Sequence, residues 1–471
     1  MRGGLNRVSV ALRAPHRSDT VGSGMERLRR FIGSGRAFLF SYFIAVITIG
    51  SVLLSLPAAW PGPGGIRIID AVFTATSAVC VTGLITVNTA EFTRFGQTVI
   101  MLIIQAGGLG IIAFSTIYLV IPVSRMSLRS STIIQEYYVD QVDFDPKRIV
   151  RSIVRFTVAV QAAGVILLGV AFSHAGIEAP LFTAVFHTIS AFCNAGFSTF
   201  PDSLERFVFN HAVTLPIMAL IIVGGIGFVV LQDLTSGRVR GRRRSLHTKV
   251  VLATTAALIV LGTVLFFAFE RGDGVFAGMS SGRAAMAALF QSVTPRTAGF
   301  NTVDQGALSP ASLLLTIVFM FTGGAPGSVA GGIKVTTVLV VLAAAVVIAD
   351  ENGDIRLGQR RIPASLVGKA HGLLIKALLI VLVSSLLLTI TERTLLKEGT
   401  ALVVLLFEAF SAFGTVGLSM GITDSLSDAG KLVIIFTMFA GRVGLISLAM
   451  PRTRRRGERL IGYPTGEILI G

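Results

Sequence analysis

Long apolar runs without charge recur along the whole chain, separated by shorter ones. Runs near the roughly 20 residues that a helix needs to cross a bilayer lie at 37–56, 95–121, 211–231, 250–269 and 372–390, with a slightly shorter one at 156–173. Two more are irregular: 311–349 is apolar but interrupted from Thr322 to Gly332, and 432–450 carries Arg442 in its middle. The pattern predicts eight crossings, taken in four consecutive pairs. Inside each pair sits a further apolar piece, at 71–80, 181–193, 284–293 and 402–413, of 10 to 13 residues. None is long enough to cross. These pieces predict re-entrant half-helices, whose backbone at membrane depth is tolerated only where it is buried in protein or lines water.

Every half-helix runs into a glycine tetrapeptide: Val81-Thr82-Gly83-Leu84, Asn194-Ala195-Gly196-Phe197, Thr297-Ala298-Gly299-Phe300 and Thr415-Val416-Gly417-Leu418. The glycines stand 113, 103 and 118 residues apart, so one unit is repeated four times. The unit is a crossing, a half-helix, an extended loop and a second crossing. The repeats are expected over 37–122, 148–232, 246–349 and 368–451, with a basic segment at 1–36 before them and a basic tail at 452–471 after them. Because each unit crosses twice, all four share one orientation and can close as a pseudo-fourfold ring. The expected fold is an all-α integral membrane protein whose eight transmembrane spans surround one pore.

Composition agrees with a bilayer, and charge adds an orientation. Hydrophobic residues make up 52% of the chain and charged ones 14%, with a mean hydropathy of +0.78; in soluble domains about a quarter of residues are charged. The net charge of +16 is concentrated at 2–36, 125–151, 238–244, 356–361 and 452–459, all on one predicted side. By the positive-inside bias that side is cytoplasmic, both termini included, and the glycine loops face outward. Every cluster abuts a predicted crossing, so membrane lipids or an acidic partner are expected there, and no nucleic acid. The first 36 residues show no small-residue cleavage site after a short apolar core, which argues against a signal peptide. Cys80 and Cys193 each lie three residues before a loop glycine. Two cysteines make neither a disulfide framework nor a zinc spacing, and they read as small packing residues.

The glycine loops carry the chemistry. A cation that crosses a membrane exchanges its water for other oxygens, and a ring of backbone carbonyls supplies them if the peptide planes turn toward one axis. Glycine adopts the unusual φ/ψ values this requires without steric cost. Half-helices ending at the loops direct the negative end of their dipoles toward the centre. The candidate filter residues are therefore Val81, Thr82 and Gly83, Asn194, Ala195 and Gly196, Thr297, Ala298 and Gly299, and Thr415, Val416 and Gly417. Glu91, Asp202, Asp304 and Asp424 follow the glycines by 8, 6, 5 and 7 residues. They are candidates for an outer ring that concentrates cations, or else loop acids that face water. Between Thr322 and Gly332, five glycines and one proline in eleven residues cannot sustain a helix. Gly323, Gly324, Gly327, Gly331 and Gly332 are candidates for a gate, with Lys334 behind them bonding to carbonyls or snorkelling inward. Arg442 is costly inside a crossing unless it faces water or a partner, and is a functional candidate by default. No phosphate-binding Gly-x-x-x-x-Gly-Lys-Ser/Thr loop, acidic metal cluster or catalytic constellation is legible, so the chain reads as a non-enzyme without a cofactor of its own.

On these residues the chain resembles the superfamily of potassium transporters that includes the Trk, Ktr and HKT proteins, most closely its Ktr-type membrane subunits. The resemblance spans about 37–450 and rests on 76–84, 190–198, 294–302 and 411–419. Eight crossings instead of ten favour the Ktr type. The resemblance implies K+ held at backbone carbonyls around Gly83, Gly196, Gly299 and Gly417, since serine in place of the first glycine accompanies sodium permeation in this superfamily. It implies that 322–332 is an intramembrane gating loop and that Arg442 stands near it as an electrostatic barrier. It also implies a homodimer in the bacterial plasma membrane, seated on a cytosolic ring of KtrA-like, RCK-type subunits in which ATP and ADP bias the gate. The basic stretches at 238–244 and 356–361 are the expected docking surfaces. Na+ as an activating ion is left open by the sequence. Two alternatives are a sodium-permeable or sodium-coupled relative and an alternating-access cation carrier. A carrier would pair unwound segments between inverted halves, whereas only one crossing reads as broken.

Overall fold

The computed structural model of the protein describes residues 35–62, 65–120, 146–240, 244–350, 353–358 and 360–444. The basic segment expected at 1–36 and the tail at 452–471 fall almost wholly outside the described residues, as do 121–145 and 241–243. The first segment of the fold comprises α1 (Gly35–Leu54), the short α2 (Ile68–Cys80) and α3 (Arg94–Val120). The second comprises α4 (Pro146–His174), the short α5 (Pro180–Cys193), α6 (His211–Ile226) and α7 (Phe228–Arg240). The third holds α8 (Leu246–Glu270), the short α9 (Ser281–Val293), α10 (Pro310–Phe321) and α11 (Val335–Val346). A small antiparallel hairpin, β1 (Ile355–Leu357) and β2 (Arg360–Ile362), pairs Ile355 with Ile362. The fourth segment is α12 (Ala364–Thr391), the one-turn α13 (Arg393–Lys397), the short α14 (Leu402–Gly414) and α15 (Asp428–Phe439), which widens into a π-helical turn at Ala440–Gly444.

Among the described residues five helices, α1, α3, α4, α8 and α12, are long and apolar enough to cross a membrane; the count is six if α6 and α7 form one bent span. Ile44, Val52, Val260, Val264, Leu382 and Leu386 stay exposed on α1, α8 and α12. That is the pattern of helices whose surroundings are hydrocarbon, because in water such a surface would be driven inside. The four short helices are the reverse. Phe73, Phe186, Phe290 and Phe407 are all but completely buried, so α2, α5, α9 and α14 are the core around which the long helices stand.

The helix after each short helix packs on the short helix of the next segment: α3 on α5, α6 on α9, α10 on α14, and α15 back on α2. At that last seam Lys431 Nζ donates to Asp70 Oδ1 at 2.8 Å, with both side chains buried. Beside it, on the exposed rim, Arg67 Nη2 donates to both carboxylate oxygens of Asp428 at 2.6 and 2.7 Å.

Three elements differ from the sequence expectation. The run expected at 156–173 is a full-length helix that starts ten residues earlier, at Pro146, because Arg148, Arg151 and Arg155 occupy exposed positions on its first turns and lower the local hydropathy. The run at 211–231 is not straight: α6 and α7 meet at Gly227 with a bend of 97°. Gly227 takes φ +93°, and a Cβ there would lie 2.6 Å from Pro326 O. The expectation that only one crossing is broken is corrected accordingly, since 322–334 is also non-helical, as the glycines there foretold. The eighth run at 432–450 begins earlier, at Asp428, and its residues from 445 onward lie outside the described residues.

Candidate functional site

The ends of the short helices set the geometry of the four glycine loops. Val81, Asn194 and Thr415 cap α2, α5 and α14 in the left-handed conformation at φ 56°, 59° and 50°, and Thr297 takes φ 69° after α9. Two residues later Gly83, Gly196, Gly299 and Gly417 take φ 97°, 70°, 79° and 93°. Between them Thr82, Ala195, Ala298 and Val416 keep negative φ, since the positive-φ positions are confined to their neighbours. Alternation of hand along three residues lets successive carbonyls face one side. The sequence pointed to glycine for this conformation. It gave no sign that a valine, an asparagine and two threonines share it, at a cost of about 1–2 kcal/mol each.

The backbone N–H groups of the loops are taken up from behind. Thr82 N, Ala195 N and Val416 N donate to the carbonyls of Ser77, Ser190 and Ser411 at 2.7, 2.7 and 2.9 Å, and Ala298 N to that of Thr294 at 3.0 Å. Gly83 N and Gly417 N donate to Ser77 Oγ at 3.0 Å and Ser411 Oγ at 3.1 Å. In the other two loops the hydroxyl donates instead, Ser190 Oγ to Phe197 O at 2.7 Å and Thr294 Oγ1 to Phe300 O. These bonds brace each loop from the side of its half-helix.

The loops also touch one another in order. A Cβ on Gly83 would lie 2.5 Å from Ala195 O, and one on Gly196 would lie 3.0 Å from Ala298 O. On Gly299 it would run into Val416 O, and on Gly417 into Thr82 O. The four carbonyls thus alternate with the four glycine Cα atoms in a closed circuit. Such a set of carbonyls replaces a cation's water without any charged side chain.

Against this circuit lies the non-helical stretch between α10 and α11. Its ends are drawn together by Gly323 N donating to Ile333 O at 2.8 Å and Ile333 N to Phe321 O at 3.3 Å. Side-chain atoms at Gly331 and Gly332 would meet Thr415 and Gly414. The stretch is bonded to the α6–α7 elbow: Ala325 N donates to Gly225 O at 2.9 Å, Phe228 N to Gly327 O at 3.0 Å and Val329 N to Gly224 O at 3.3 Å. Gly324 O accepts from Val335 N, Ser328 Oγ donates to Ala325 O, and Lys334 Nζ donates to the carbonyls of Ala330 and Gly331. Lys334 therefore bonds carbonyls, the first of the two roles considered for it. Arg442, in the π-helical turn, is 1% exposed and donates from Nη1 to Val329 O, while its Nε and Nη2 have no hydrogen-bond partner among the described residues. A buried guanidinium with two free donors is a strong local positive field.

Three of the four loop acids have local partners. Glu91 is exposed in a short turn, Asp304 caps Gly306 N at 2.8 Å, and Asp424 accepts from Ser425 Oγ at 3.1 Å. Asp202 accepts from Arg206 Nε at 2.9 and 3.1 Å. Burial alone would raise its pKa, but the Arg206 hydrogen bonds and charge hold the carboxyl below its usual value. Glu205, which the sequence reading passed over, accepts from Asn301 Nδ2 at 2.6 Å. Burial, and then the charges of Asp304 and Asp202, push its pKa up. Three acids of two different segments thus share one stretch of the outer surface. Cys80 and Cys193 are free and buried, as small packing residues are. Arg296, three residues before Gly299, is a further buried cation whose guanidinium reaches Thr255 Oγ1 at 3.4 Å.

A family model described as TrkH, a cation transport protein, matches residues 39–456. The Ktr system potassium uptake protein B of Bacillus subtilis (strain 168) is 37% identical over 432 residues, covering 91% of this chain and 95% of that protein. The potassium/sodium uptake protein NtpJ of Enterococcus hirae is 36% identical over 451 residues, covering 95% of this chain and 99% of that protein. The crystal structure of the potassium transporter TrkH from Vibrio parahaemolyticus shares the fold, with a TM-score of 0.66 at 22% identity, covering 86% of this chain and 83% of that one. The class is therefore that of membrane proteins that move cations without being enzymes. Within it, the chain belongs to the TrkH family of cation transport proteins.

Proposed function

We propose that the chain takes up potassium through a pore formed by its four glycine loops, in an arrangement of four repeats and eight crossings around one axis. The observation that carries this reading is the closed circuit of Thr82, Ala195, Ala298 and Val416 carbonyls against the glycines of the neighbouring loops. The crossings are α1 and α3, α4 and the bent α6–α7, α8 and the broken α10–α11, and α12 and α15. K+ sheds water against the carbonyls, helped by an outer mouth at Glu91, Asp202, Asp304 and Asp424, and passes inward when the stretch around Gly323, Gly324, Gly327, Gly331 and Gly332 moves. Lys334 and Arg442 hold that stretch, and Arg442 adds a barrier. The two relatives named as uptake proteins, 36% and 37% identical over nearly the whole chain, support potassium as the ion. The relative named for potassium and sodium supports sodium permeation as the second reading. Both backbone breaks meet through three hydrogen bonds, Ala325 N to Gly225 O, Phe228 N to Gly327 O and Val329 N to Gly224 O, beside the circuit, which favours a gate over a carrier's substrate site.

The chain works in the plasma membrane with its termini cytoplasmic, as a homodimer regulated by a cytosolic nucleotide-binding ring; K+ is its cargo, and ATP and ADP belong to that partner. The Ktr system named for a relative supports a companion subunit. The test is growth of a potassium-uptake-deficient bacterium at low potassium with this chain alone and with its ring subunit, together with rubidium influx competed by K+ or by Na+. Rescue, with influx suppressed by K+ and spared by Na+, is the expected result; influx suppressed equally by Na+ would replace the potassium reading by the sodium-permeable one. Arg442→Ala is expected to raise the influx rate about tenfold at equal membrane amounts, which corresponds to ~1.4 kcal/mol of barrier removed. A slower Arg442→Ala variant at equal amounts would refute the barrier.

A further inference from the structure

Behind each glycine loop one polar side chain stands on the half-helix, and the four are unlike. Ser77, Ser190, Thr294 and Ser411 brace the loops, and three residues before each of them lie Thr74, His187, Gln291 and Glu408. All four are fully buried. His187 Nε2 lies 2.9 Å from Ser198 Oγ, two residues beyond Gly196. Gln291 Nε2 donates to Gln305 Oε1 at 2.8 Å. The Thr74 hydroxyl has no hydrogen-bond partner among the described residues. Glu408 reaches its own loop in two steps: Thr423 Oγ1 donates to Oε1, and the same hydroxyl lies 3.0 Å from Ser419 Oγ, two residues beyond Gly417. Its other oxygen, Oε2, has no hydrogen-bond partner among the described residues.

A carboxyl at 0% exposure with one bare oxygen is a costly way to fill space, and an apolar side chain would fill it without that penalty. The cost makes sense if the group is there to hold something. Gly417 N on Ser411 Oγ fixes the inner side of the fourth loop. The chain Glu408–Thr423–Ser419 fixes its outer side. A loop held at both ends keeps the Val416 carbonyl at one distance from the axis, whereas a loop held at one end lets it follow a smaller ion inward. We propose that Glu408 is a positioning residue of the fourth filter loop, which acts through Thr423 and Ser419 to set the discrimination of K+ from Na+. It does not touch the cation. The assignment rests on the pore reading above.

The test uses the full chain in lipid vesicles, with rubidium influx competed by K+ and by Na+, for wild type, Glu408→Ala, Glu408→Gln and Thr423→Val. Glu408→Ala is expected to let Na+ compete about tenfold better relative to K+, the effect of one lost hydrogen bond to a buried charged group. Thr423→Val, nearly isosteric, shifts competition in the same direction and carries the test by itself if Glu408→Ala fails to fold. Glu408→Gln keeps the acceptor, as Gln291 does in the third loop, and retains most of the discrimination. Wild-type competition ratios in both Glu408→Ala and Thr423→Val would overturn the assignment alone. So would a Glu408→Gln as impaired as Glu408→Ala, since charge and not bracing would then be responsible. Absence of any wild-type influx would instead overturn the pore reading, and the assignment with it.

Discussion

Alanine at Gly299 is expected to abolish cation uptake while the protein still reaches the membrane in its usual amount. Two costs meet at this position. The backbone sits at φ 79°, where a Cβ costs about 1–2 kcal/mol, and the Cβ would run into the Val416 carbonyl of the next loop. The strain cannot be relieved at a distance, because the atom that must retreat is one of the four carbonyl oxygens proposed to replace the cation's water. A fall of about 100-fold in rubidium influx, ~2.7 kcal/mol on the barrier, is the expected size. Gly278→Ala is the matched control: its φ is 76°, yet nothing lies within 4 Å of the added carbon. It should lose a little stability and no uptake. Wild-type influx through Gly299→Ala would remove the carbonyl circuit from the ion's path.

Methionine at Lys431 is expected to cost the most stability of any single change at the seams. Lys431 and Asp70 are 4% and 7% exposed, so removing the ammonium leaves a carboxylate in the interior without its close partner, Arg67 Nε being 3.9 Å from its other oxygen. Breaking a buried pair in this way typically costs about 3–5 kcal/mol, whereas replacing both members by apolar residues is often neutral. Thermal unfolding of detergent-solubilised protein should therefore show a large loss for Lys431→Met and recovery in the double variant with Asp70→Leu. The nearby Arg67–Asp428 pair, more than half exposed on both sides, should matter little, about 0–1 kcal/mol for Arg67→Ala. An equal loss from both single changes would mean that the seam is not held by the buried pair.

The local order of this fold was legible where a pattern is short-range. The four half-helices begin and end within three residues of the apolar pieces read from the sequence, and the glycine-rich stretch after α10 interrupts its crossing where five glycines and a proline demanded it. What stayed hidden depends on partners far along the chain. Lys431 finds Asp70 across 361 residues, and nothing in either neighbourhood announces the pair. Gly227 stands in an unbroken apolar run, so hydropathy sees a straight crossing; the bend exists because Gly224, Gly225 and Phe228 bond to a stretch about a hundred residues later. Glu408 stands inside the apolar piece at 402–413 and was passed over, because burial is not written in a single position. Arginines on the first turns of α4 shortened the apolar run read there to 156–173.

The α6–α7 elbow has a thermodynamic meaning of its own. Three backbone hydrogen bonds join it to the stretch after α10, each worth about 0.5–1.5 kcal/mol net and more if left unmade in a dry interior. Neither partner can straighten or withdraw without the other giving up donors and acceptors. Two such bodies form a linked equilibrium: whatever stabilises the bent elbow strengthens the closed stretch by the same free energy, and whatever draws the stretch aside loosens the elbow equally. If the stretch is the gate proposed above, an agent acting at the far end of α7 would need no contact with the ion's path to change how often that path is free.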